Sequence, residues 1–470
     1  MQVPDGGWLR GRGARLGLAL AALLLAGCAQ MPGSEADGER LAARVAEEVA
    51  PLIESGEREQ ALARYDAALE RTPENPTLLA DRALLALEMD RAKEALAGLR
   101  RAVEAAVDRG DTRAVRGYGE WIEQVAARRP ARIGERAEAA AALPDDPEIA
   151  SALEFRDSMR SELDTLAQQG DLQGSLELGE QILGLSEDYL GPDHALTIES
   201  TVEQANLAWA AGDPTRAESL LMRALDRAFA AYGDGHPRTL DVYAELADLY
   251  EARGRSRDSL SIIREASTQA DRELGLTDPR SLDLRMELGR RLEAVGEYAE
   301  GAQILENSCA AAEQTLGRWH RRTADCREQY GILLSRGGDI PGAREAFREV
   351  LTVREAVLGE ADPATLTTRL DLASLERQDG SHEAALEALT ELRDDVTAAL
   401  GRNDALLTDV EELRGRVLFD LGRTGEARPL AVKVYEARLA EQGEDAPLTL
   451  DALNLIGAID MRDGDFLAAE

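Results

Sequence analysis

Glycine returns at a fixed interval over the last two thirds of the chain. One set of glycines is spaced by 42 residues from Gly191 to Gly443, and a second set has the same spacing from Gly170 to Gly464. A constant period between about 20 and 50 residues is typical of a stacked array in which each repeat contacts its neighbours. This part of the chain is therefore expected to fold as a series of equal units rather than around one central core.

The segments between these glycines have the apolar spacing of amphipathic helices. In one segment, the apolar residues three or four positions apart are Leu240, Tyr243, Leu246, Ala247 and Tyr250. Such residues share one helix face. A glycine just past a helix suits the left-handed residue that ends it, and Asp or His followed by Pro suits a helix start. Each repeat is predicted to be two antiparallel helices, so the fold class is all-α, an α-solenoid of helix pairs.

Small residues mark the places where paired helices approach closely. One column is Ala205, Ala247, Gly289, Gly331, Ala373, Gly415 and Gly457, and a second column runs from Ala217 to Ala469. This pattern resembles tetratricopeptide repeats, and the stretches 205–208 and 233–237 resemble the 42-residue form of kinesin light chains. The resemblance covers residues 149–470 as seven repeats and a truncated eighth. Repeat one, residues 149–190, fits least well because Leu163 stands at the small position.

The period shortens to 34 residues nearer the N-terminus. Ala61, Tyr65, Ala68 and Pro73 match the ordinary tetratricopeptide pattern, so residues 41–109 are predicted to form two conventional repeats. Residues 110–148 have a helical composition but are out of register, and we interpret them as a helical connector between the two arrays.

Residues 1–27 have the features of a secretory signal peptide. Three arginines precede the apolar run Leu16–Ala26, which is shorter than the roughly 20 residues that span a bilayer. The ending Leu25-Ala26-Gly27-Cys28 resembles the lipobox of bacterial lipoproteins. That resemblance implies cleavage before Cys28, lipidation of Cys28 and export to the cell envelope. Ala29 in place of Asp implies the outer membrane, with the protein facing the periplasm, and residues 28–40 are predicted to be a flexible tether.

The composition and the motifs argue against several functions. The chain has 89 acidic and 54 Lys and Arg side chains, a formal charge of −35, whereas nucleic-acid affinity depends on Lys and Arg. Three cysteines cannot form a disulfide-rich scaffold or a zinc ribbon. No phosphate loop, nucleophile elbow or His-Glu-x-x-His helix is recognisable. We therefore expect no enzymatic activity, no cofactor, no metal, no nucleic acid and no small-molecule substrate.

Three histidines occupy one position of the repeat. His194, His236 and His320 stand at predicted helix starts. Equivalent positions on stacked helices are roughly 10 Å apart, whereas zinc needs ligands about 2 Å away. We therefore interpret these histidines as helix-capping residues. His382 is placed in a turn, with no metal-binding partner nearby in the sequence.

Cys309 and Cys326 flank one predicted turn at similar distances along the chain. Two antiparallel helices joined there would place both cysteines at a similar depth, and export leads to an oxidising compartment. A disulfide between them is therefore one prediction. The alternative is two buried thiols that behave as small hydrophobic side chains.

The candidate ligand surface lies on the first helix of each repeat. Two largely acidic columns precede the small-residue column, four residues apart, so they share one helix face. In tetratricopeptide proteins these positions line the concave groove, which implies the ligand residues Glu199, Glu203, Asp241, Glu245, Asp283, Glu287, Asp325 and Asp371. Asn206, Trp209 and Arg290 lie just beyond the columns and are predicted to add apolar and hydrogen-bonding contacts. Chaperone adaptors have basic residues there. The reversed sign predicts a negative groove that attracts a basic partner, although acids also favour the first turn of any helix.

The leading functional prediction is a non-enzymatic periplasmic adaptor or scaffold lipoprotein that binds peptides or protein segments. The alternative starts from residues 465–470, where a second helix begins and the sequence stops. Either the chain is a piece of a longer protein or a partner covers the last apolar face. Bacterial chains with similar repeats often continue into a caspase-like peptidase domain, which would make this region a sensor or substrate-binding arm. A purely structural spacer is a third possibility.

Overall fold

The computed structural model describes residues 33–126, 138–143, 146–402 and 404–464. The predicted signal peptide, Cys28 and residues 465–470 lie outside these ranges. Within these ranges, every secondary-structure element is an α-helix, which confirms the predicted all-α fold class. None of the helices in these ranges is both long enough and apolar enough to span a membrane.

The helices follow one another in the predicted pairs. The N-terminal helices are α1 (Gly33–Glu54), α2 (Arg58–Leu69), α3 (Pro76–Glu88), α4 (Ala92–Asp108) and α5 (Thr112–Ala126). The first helices of the 42-residue repeats are α6 (Pro147–Gln169), α8 (Ala195–Ala210), α10 (Pro237–Ala252), α12 (Pro279–Ala294), α14 (Arg321–Gly337), α16 (Pro363–Gln378), α18 (Ala405–Asp420) and α20 (Pro447–Asp463). The second helices are α7 (Leu172–Leu190), α9 (Pro214–Tyr232), α11 (Ser256–Glu273), α13 (Tyr298–Leu316), α15 (Ile340–Val357), α17 (His382–Ala399) and α19 (Thr424–Gln442).

The chain divides into two compact units. Unit 1 comprises residues 1–125 and 312–470, and unit 2 comprises residues 126–311. In unit 1, each helix packs on the next from α1 to α4 and from α14 to α20. In unit 2, the same holds from α6 to α12. Packing between neighbours in sequence is the behaviour expected of a solenoid.

The small-residue columns lie where helices touch. In unit 2, Ala205 and Ala247 are fully buried, and a Cβ built on Gly289 would lie only 2.9 Å from Cδ1 of Leu305. In unit 1, a Cβ on Gly331 would lie 3.2 Å from the ring of Phe347. A larger side chain at these positions would push paired helices apart. Leu163, which replaces the small residue in repeat one, is accommodated locally because its side chain packs in a buried cluster with Met159 and Ile182.

The helix starts are capped by the residues predicted to cap them. Nδ1 of His194 accepts a hydrogen bond from the amide of Leu196 at 3.2 Å, and His236 and His320 do the same two residues ahead. The capping interpretation is therefore confirmed. Within the residues that the structure covers, no group of three or more ligating side chains is arranged to hold a metal ion. The prediction that His382 lies in a turn is wrong, because it is the first residue of α17.

The two glycine sets end helices in different ways. Gly170 has φ 75° and ψ 15°, the left-handed conformation that the sequence predicts. Gly233 has φ 93° and ψ 168°, an extended region with positive φ that is essentially restricted to glycine. The backbone conformation at Gly233 explains why glycine, and not asparagine, occupies this position in every repeat from Gly191 to Gly443.

The N-terminal region differs in part from the prediction. Residues 33–40, predicted as tether, belong to α1, and Val45 and Val49 of that helix are buried against Ala61 and Tyr65. The two predicted conventional repeats correspond to the pairs α1–α2 and α3–α4. The predicted connector begins with the well-formed helix α5, whose Val115 and Ile122 are buried. The flexible segment predicted from composition is therefore too long by about two helical turns.

Candidate functional site

The first two acidic residues of the predicted groove share a helix face in unit 2. Glu199 and Glu203 lie one turn apart on α8, and both contact Arg160 of the preceding first helix, α6. Nη1 of Arg160 lies 3.2 Å from Oε1 of Glu199, and Nη2 donates to Glu203. Burial raises the pKa of the Glu203 carboxyl, Arg160 lowers it and the negative Glu199 raises it further. The arginine therefore holds two carboxylates that would otherwise repel each other.

The next first helices are linked in the same manner. Nη1 of Arg280 on α12 lies 2.8 Å from Oδ1 of Asp241 on α10. Arg291, also on α12, lies 2.5 Å from Asp248 of α10 through Nη2 and 2.6 Å from Glu287 through Nε. Arginines thus connect successive first helices across the predicted groove face of unit 2.

Several predicted groove residues remain open to solvent in unit 2. Glu245, Asp283 and Asn206 are exposed, and Trp209 keeps 40% of its surface accessible. Arg290 is exposed and pairs with Glu287 within α12. The face is therefore a mixed-charge surface with an acidic excess. The negative groove predicted from the columns did not include the arginines Arg160, Arg280 and Arg291 that bridge its carboxylates.

Asp325 and Asp371 belong to unit 1 and stand beside a buried arginine. Arg354 of α15 is only 6% exposed. Its guanidinium contacts Glu328 at 2.5 Å and Asp325 at 3.2 Å on α14, and it donates to the hydroxyl of Thr368 on α16 at 2.8 Å. Asp325 is therefore part of an internal ion-pair network and is not simply a free ligand residue.

Asp371 is the most strongly perturbed of the predicted groove residues. The pKa of its carboxyl is raised to about 7, mainly by burial and in part by the negative Glu328, while Arg354 opposes the rise. A carboxyl of this kind gains or loses its proton near neutral pH, so the charge of this part of the face depends on pH.

The sequence interpretation missed the buried arginines. Arg438 of α19 occupies the same repeat position as Arg354, two repeats later, and contacts Asp409 and Glu412 of α18. The equivalent position in other repeats holds a fully buried Ala270 or Val396. An arginine in a column of otherwise small or apolar residues, matched by Asp-x-x-Glu on the first helix of the same repeat, is the signal that could have revealed the network.

A second feature missed from the sequence is a shallow cavity in unit 1. It has a volume of about 750 Å³, and its lining includes Arg377, His382, Phe419 and Arg462. Nε of Arg377 lies 2.6 Å from Asp420, and the guanidinium of Arg462 stacks 4.8 Å from the Phe419 ring centre. These contacts join the ends of α16, α18 and α20.

The cysteines predicted to carry covalent chemistry fall into two groups. Cys28, the predicted lipidation site, lies outside the described residues. Cys309 and Cys326 are both buried, and each is in the disulfide-bonded form. Their pairing with each other stays the prediction made from the sequence.

Paired helices, small-residue contacts and a linked face of first helices define a repeat scaffold for protein interaction. A family model described as tetratricopeptide repeat matches residues 164–228 and 199–272, and a second model with the same description matches residues 323–364. The chain therefore contains tetratricopeptide repeats. No curated protein matches the sequence.

The solved structures that are similar to this chain include proteins described as having tetratricopeptide or tetratricopeptide-like repeats. A tetratricopeptide repeat protein from Parabacteroides merdae is 14% identical, with 64% of this chain and 99% of that chain covered and a TM-score of 0.44. The kinesin light chain-like repeats from Podosopora anserina are 23% identical over 42% of this chain and 94% of that chain, with a TM-score of 0.37. The apo form of RapI is 10% identical over 79% and 99%, with a TM-score of 0.45.

Proposed function

We propose that the protein is an adaptor of the bacterial cell envelope that binds a basic segment of another protein on the first-helix face of unit 2. The observation that carries this proposal is the arginine-linked acidic surface on α8, α10 and α12, with Trp209 exposed beside it. Repeat arrays use extended surfaces of this kind to bind proteins. No catalytic group is needed for such a role.

The ion pairs across this face support binding in two ways. They hold neighbouring first helices in a fixed relation, so less conformational entropy is lost when a partner binds. They also leave Glu245 exposed on α10, between Asp241, which pairs with Arg280, and Asp248, which pairs with Arg291. An incoming Lys or Arg would meet this carboxylate there. Trp209 offers an aromatic surface at the end of α8, and tryptophan is frequent at the centres of protein interfaces.

Neutralising this face should weaken binding of basic segments. We expect the variant Asp241→Asn/Glu245→Gln/Asp283→Asn/Glu287→Gln to lose at least about tenfold in affinity, since each exposed charge pair contributes up to roughly 1 kcal/mol. The measurement is fluorescence anisotropy with a library of peptides that differ in Lys and Arg content, at low and high salt.

A control with the same change of net charge tests whether the position matters. The substitutions Glu177→Gln, Asp226→Asn, Glu265→Gln and Glu306→Gln remove four exposed carboxylates from second helices of unit 2. This control should bind like the wild type. Equal losses in both variants would mean that only the total charge matters, and binding without salt dependence would reject an electrostatic surface.

We infer membrane attachment from the lipobox alone. Cys28→Ser should move the protein from the membrane fraction to the soluble fraction and abolish labelling with palmitate. Ala29→Asp is the matched control, because it keeps the cysteine and is expected to change only which membrane holds the protein. Palmitate incorporation by Cys28→Ser would exclude Cys28 as the attachment site.

A further inference from the structure

The shallow cavity of unit 1 brings together hydrogen-bond donors that lack acceptors. Its lining includes Arg377, His382, Phe419, Asp420 and Arg462, and we call it the arginine pocket. Arg377 donates through Nε to Asp420 at 2.6 Å, but its two terminal nitrogens make no hydrogen bond with the residues that the structure describes. Within the same residues, Arg462 donates only through Nη1, to the carbonyl oxygen of Phe419. The volume of about 750 Å³ is within the range of ligand sites, roughly 300–1,000 Å³.

The start of α17 adds to this surplus of donors. Ser381 stands at the N-cap, but its side chain makes no capping hydrogen bond with the helix. His382, the first residue of α17, lines the pocket, and its Nδ1 has no hydrogen-bond partner in the described part of the chain. The N-terminus of a helix is also the positive end of its dipole. This wall of the pocket therefore favours an acceptor that carries negative charge.

The lining of the arginine pocket is positive although the whole chain has a formal charge of −35. Its charged side chains are the two arginines and Asp420. Asp420 pairs with Arg377, whereas the guanidinium of Arg462 stacks on the ring of Phe419. One positive charge is therefore in excess. Such a site suits an anion with a single charge, because Asp420 would repel a second negative charge at close range.

The repeat fold does not require charged residues at this position. Asp420 and Arg462 are 42 residues apart and belong to one column of the repeat. In unit 2 this column holds alanine at the ends of α8, α10 and α12, namely Ala210, Ala252 and Ala294. Helix pairs of the same kind therefore form without these charges, which leaves binding as a role for them.

We propose that the arginine pocket binds a carboxylate group, carried either by an acidic side chain or by the C-terminus of a partner chain. A guanidinium can donate two parallel N–H groups to a carboxylate. Phe419 and Ile340 in the lining provide apolar surface for the carbon atoms next to that group. This inference does not depend on the basic-segment surface proposed above, because the pocket residues belong to unit 1 and that surface belongs to unit 2.

Three N-acetylated pentapeptides test the proposal on the full chain by isothermal titration calorimetry. The first has four alanines and a C-terminal leucine with a free carboxylate, the second is its C-terminal amide, and the third is an amide with a central glutamate. The salt concentration is about 0.15 M, where a Debye length of about 8 Å limits repulsion by distant acidic residues. At least one carboxylate peptide should bind about tenfold more tightly than the neutral amide, and the better of the two identifies the source. Equal binding of all three, or tighter binding of inorganic phosphate than of either carboxylate peptide, would overturn the proposal.

Two substitutions locate the carboxylate in the pocket by different means. Arg462→Gln removes an exposed guanidinium. Gln378→Glu keeps both arginines and adds a competing carboxylate to the lining. It also keeps the oxygen that accepts from the hydroxyl of Ser335 at 3.3 Å, so the local packing is preserved. Each variant should bind the carboxylate peptide at least about tenfold more weakly, as expected when a hydrogen bond to a charged group is lost or opposed.

Arg393→Gln is the matched control for the loss of one positive charge. Arg393 lies on α17 in unit 1, pairs with Asp394 at 2.6 Å and is not part of the pocket lining. This variant should bind like the wild type. Equal losses in Arg393→Gln and Arg462→Gln would show that only the total charge matters, and unchanged binding in both Arg462→Gln and Gln378→Glu would place the carboxylate elsewhere. Either result would reject the arginine pocket as the site.

Discussion

Replacing Arg354 with methionine is expected to lower the free energy of unfolding of unit 1 by about 3–5 kcal/mol, the range for breaking a buried ion pair by removing one partner. Among the described residues, methionine fills a similar length but leaves Glu328 without its cation, and Asp325 keeps only the exposed Arg321, at 3.4 Å. The Asp371 carboxyl, whose pKa is already raised to about 7, would lose the one nearby charge that opposes this rise. The loss should appear in urea denaturation and as faster hydrogen exchange of α14 to α16.

Two comparisons distinguish the buried network from a general effect of arginine loss. Arg344 is on the same helix and pairs with Asp379 at 2.8 Å in a half-exposed position, so Arg344→Met should cost at most about 1 kcal/mol. Adding Asp325→Asn and Glu328→Gln to Arg354→Met should recover part of the stability, because no unpaired charge is then left buried. Equal losses for Arg354→Met and Arg344→Met would contradict the network.

The repeat period predicted the fold because several independent signals agree at each position. The glycines, the caps such as His194 and Asp278, and the small residues such as Ala205 all recur with the same 42-residue spacing. Each has a separate physical reason, and together they leave little freedom for another arrangement. The tether at residues 33–40 was mispredicted because Gly33 and Ser34 suggested a loop, whereas the helix there is supported by apolar residues further along.

The ion pairs of the candidate surface were not predicted because each helix was considered alone. The bridging pairs are separated by 39 residues, as in Asp241 and Arg280, or by 43, as in Arg291 and Asp248. Both separations differ from the period, so a comparison of equivalent positions cannot find them. The two separations, 39 and 43, differ by four residues, which is about one helical turn. They arise because neighbouring first helices are offset along their axes.

Buried charge is also hard to infer from residue type. Arg354 stands in a column that holds Ala270 and Ala312 in other repeats, so its position alone indicates a core site. An arginine there is acceptable only because Asp325, Glu328 and Thr368 provide partners on two other helices. Recognising this from the sequence requires both the column and the packing of three helices.

Removing the predicted disulfide between Cys309 and Cys326 should lower the free energy of unfolding by an amount similar to that expected for Arg354→Met. Cys309 and Cys326 are buried and disulfide-bonded, and a bridge between them would close a loop of about 18 residues, which contributes roughly 3 kcal/mol in the chain-entropy model. Cys309→Ala/Cys326→Ala should therefore unfold at a lower urea concentration by a comparable free energy. Wild type refolded under reducing conditions should behave similarly, because it lacks the bridge but keeps both side chains.

If reduction leaves the wild-type midpoint unchanged while the double alanine variant is destabilised, the loss comes from the cavities and not from the bridge. Mass mapping of non-reduced peptides that pairs either cysteine with another residue would reject the predicted connection.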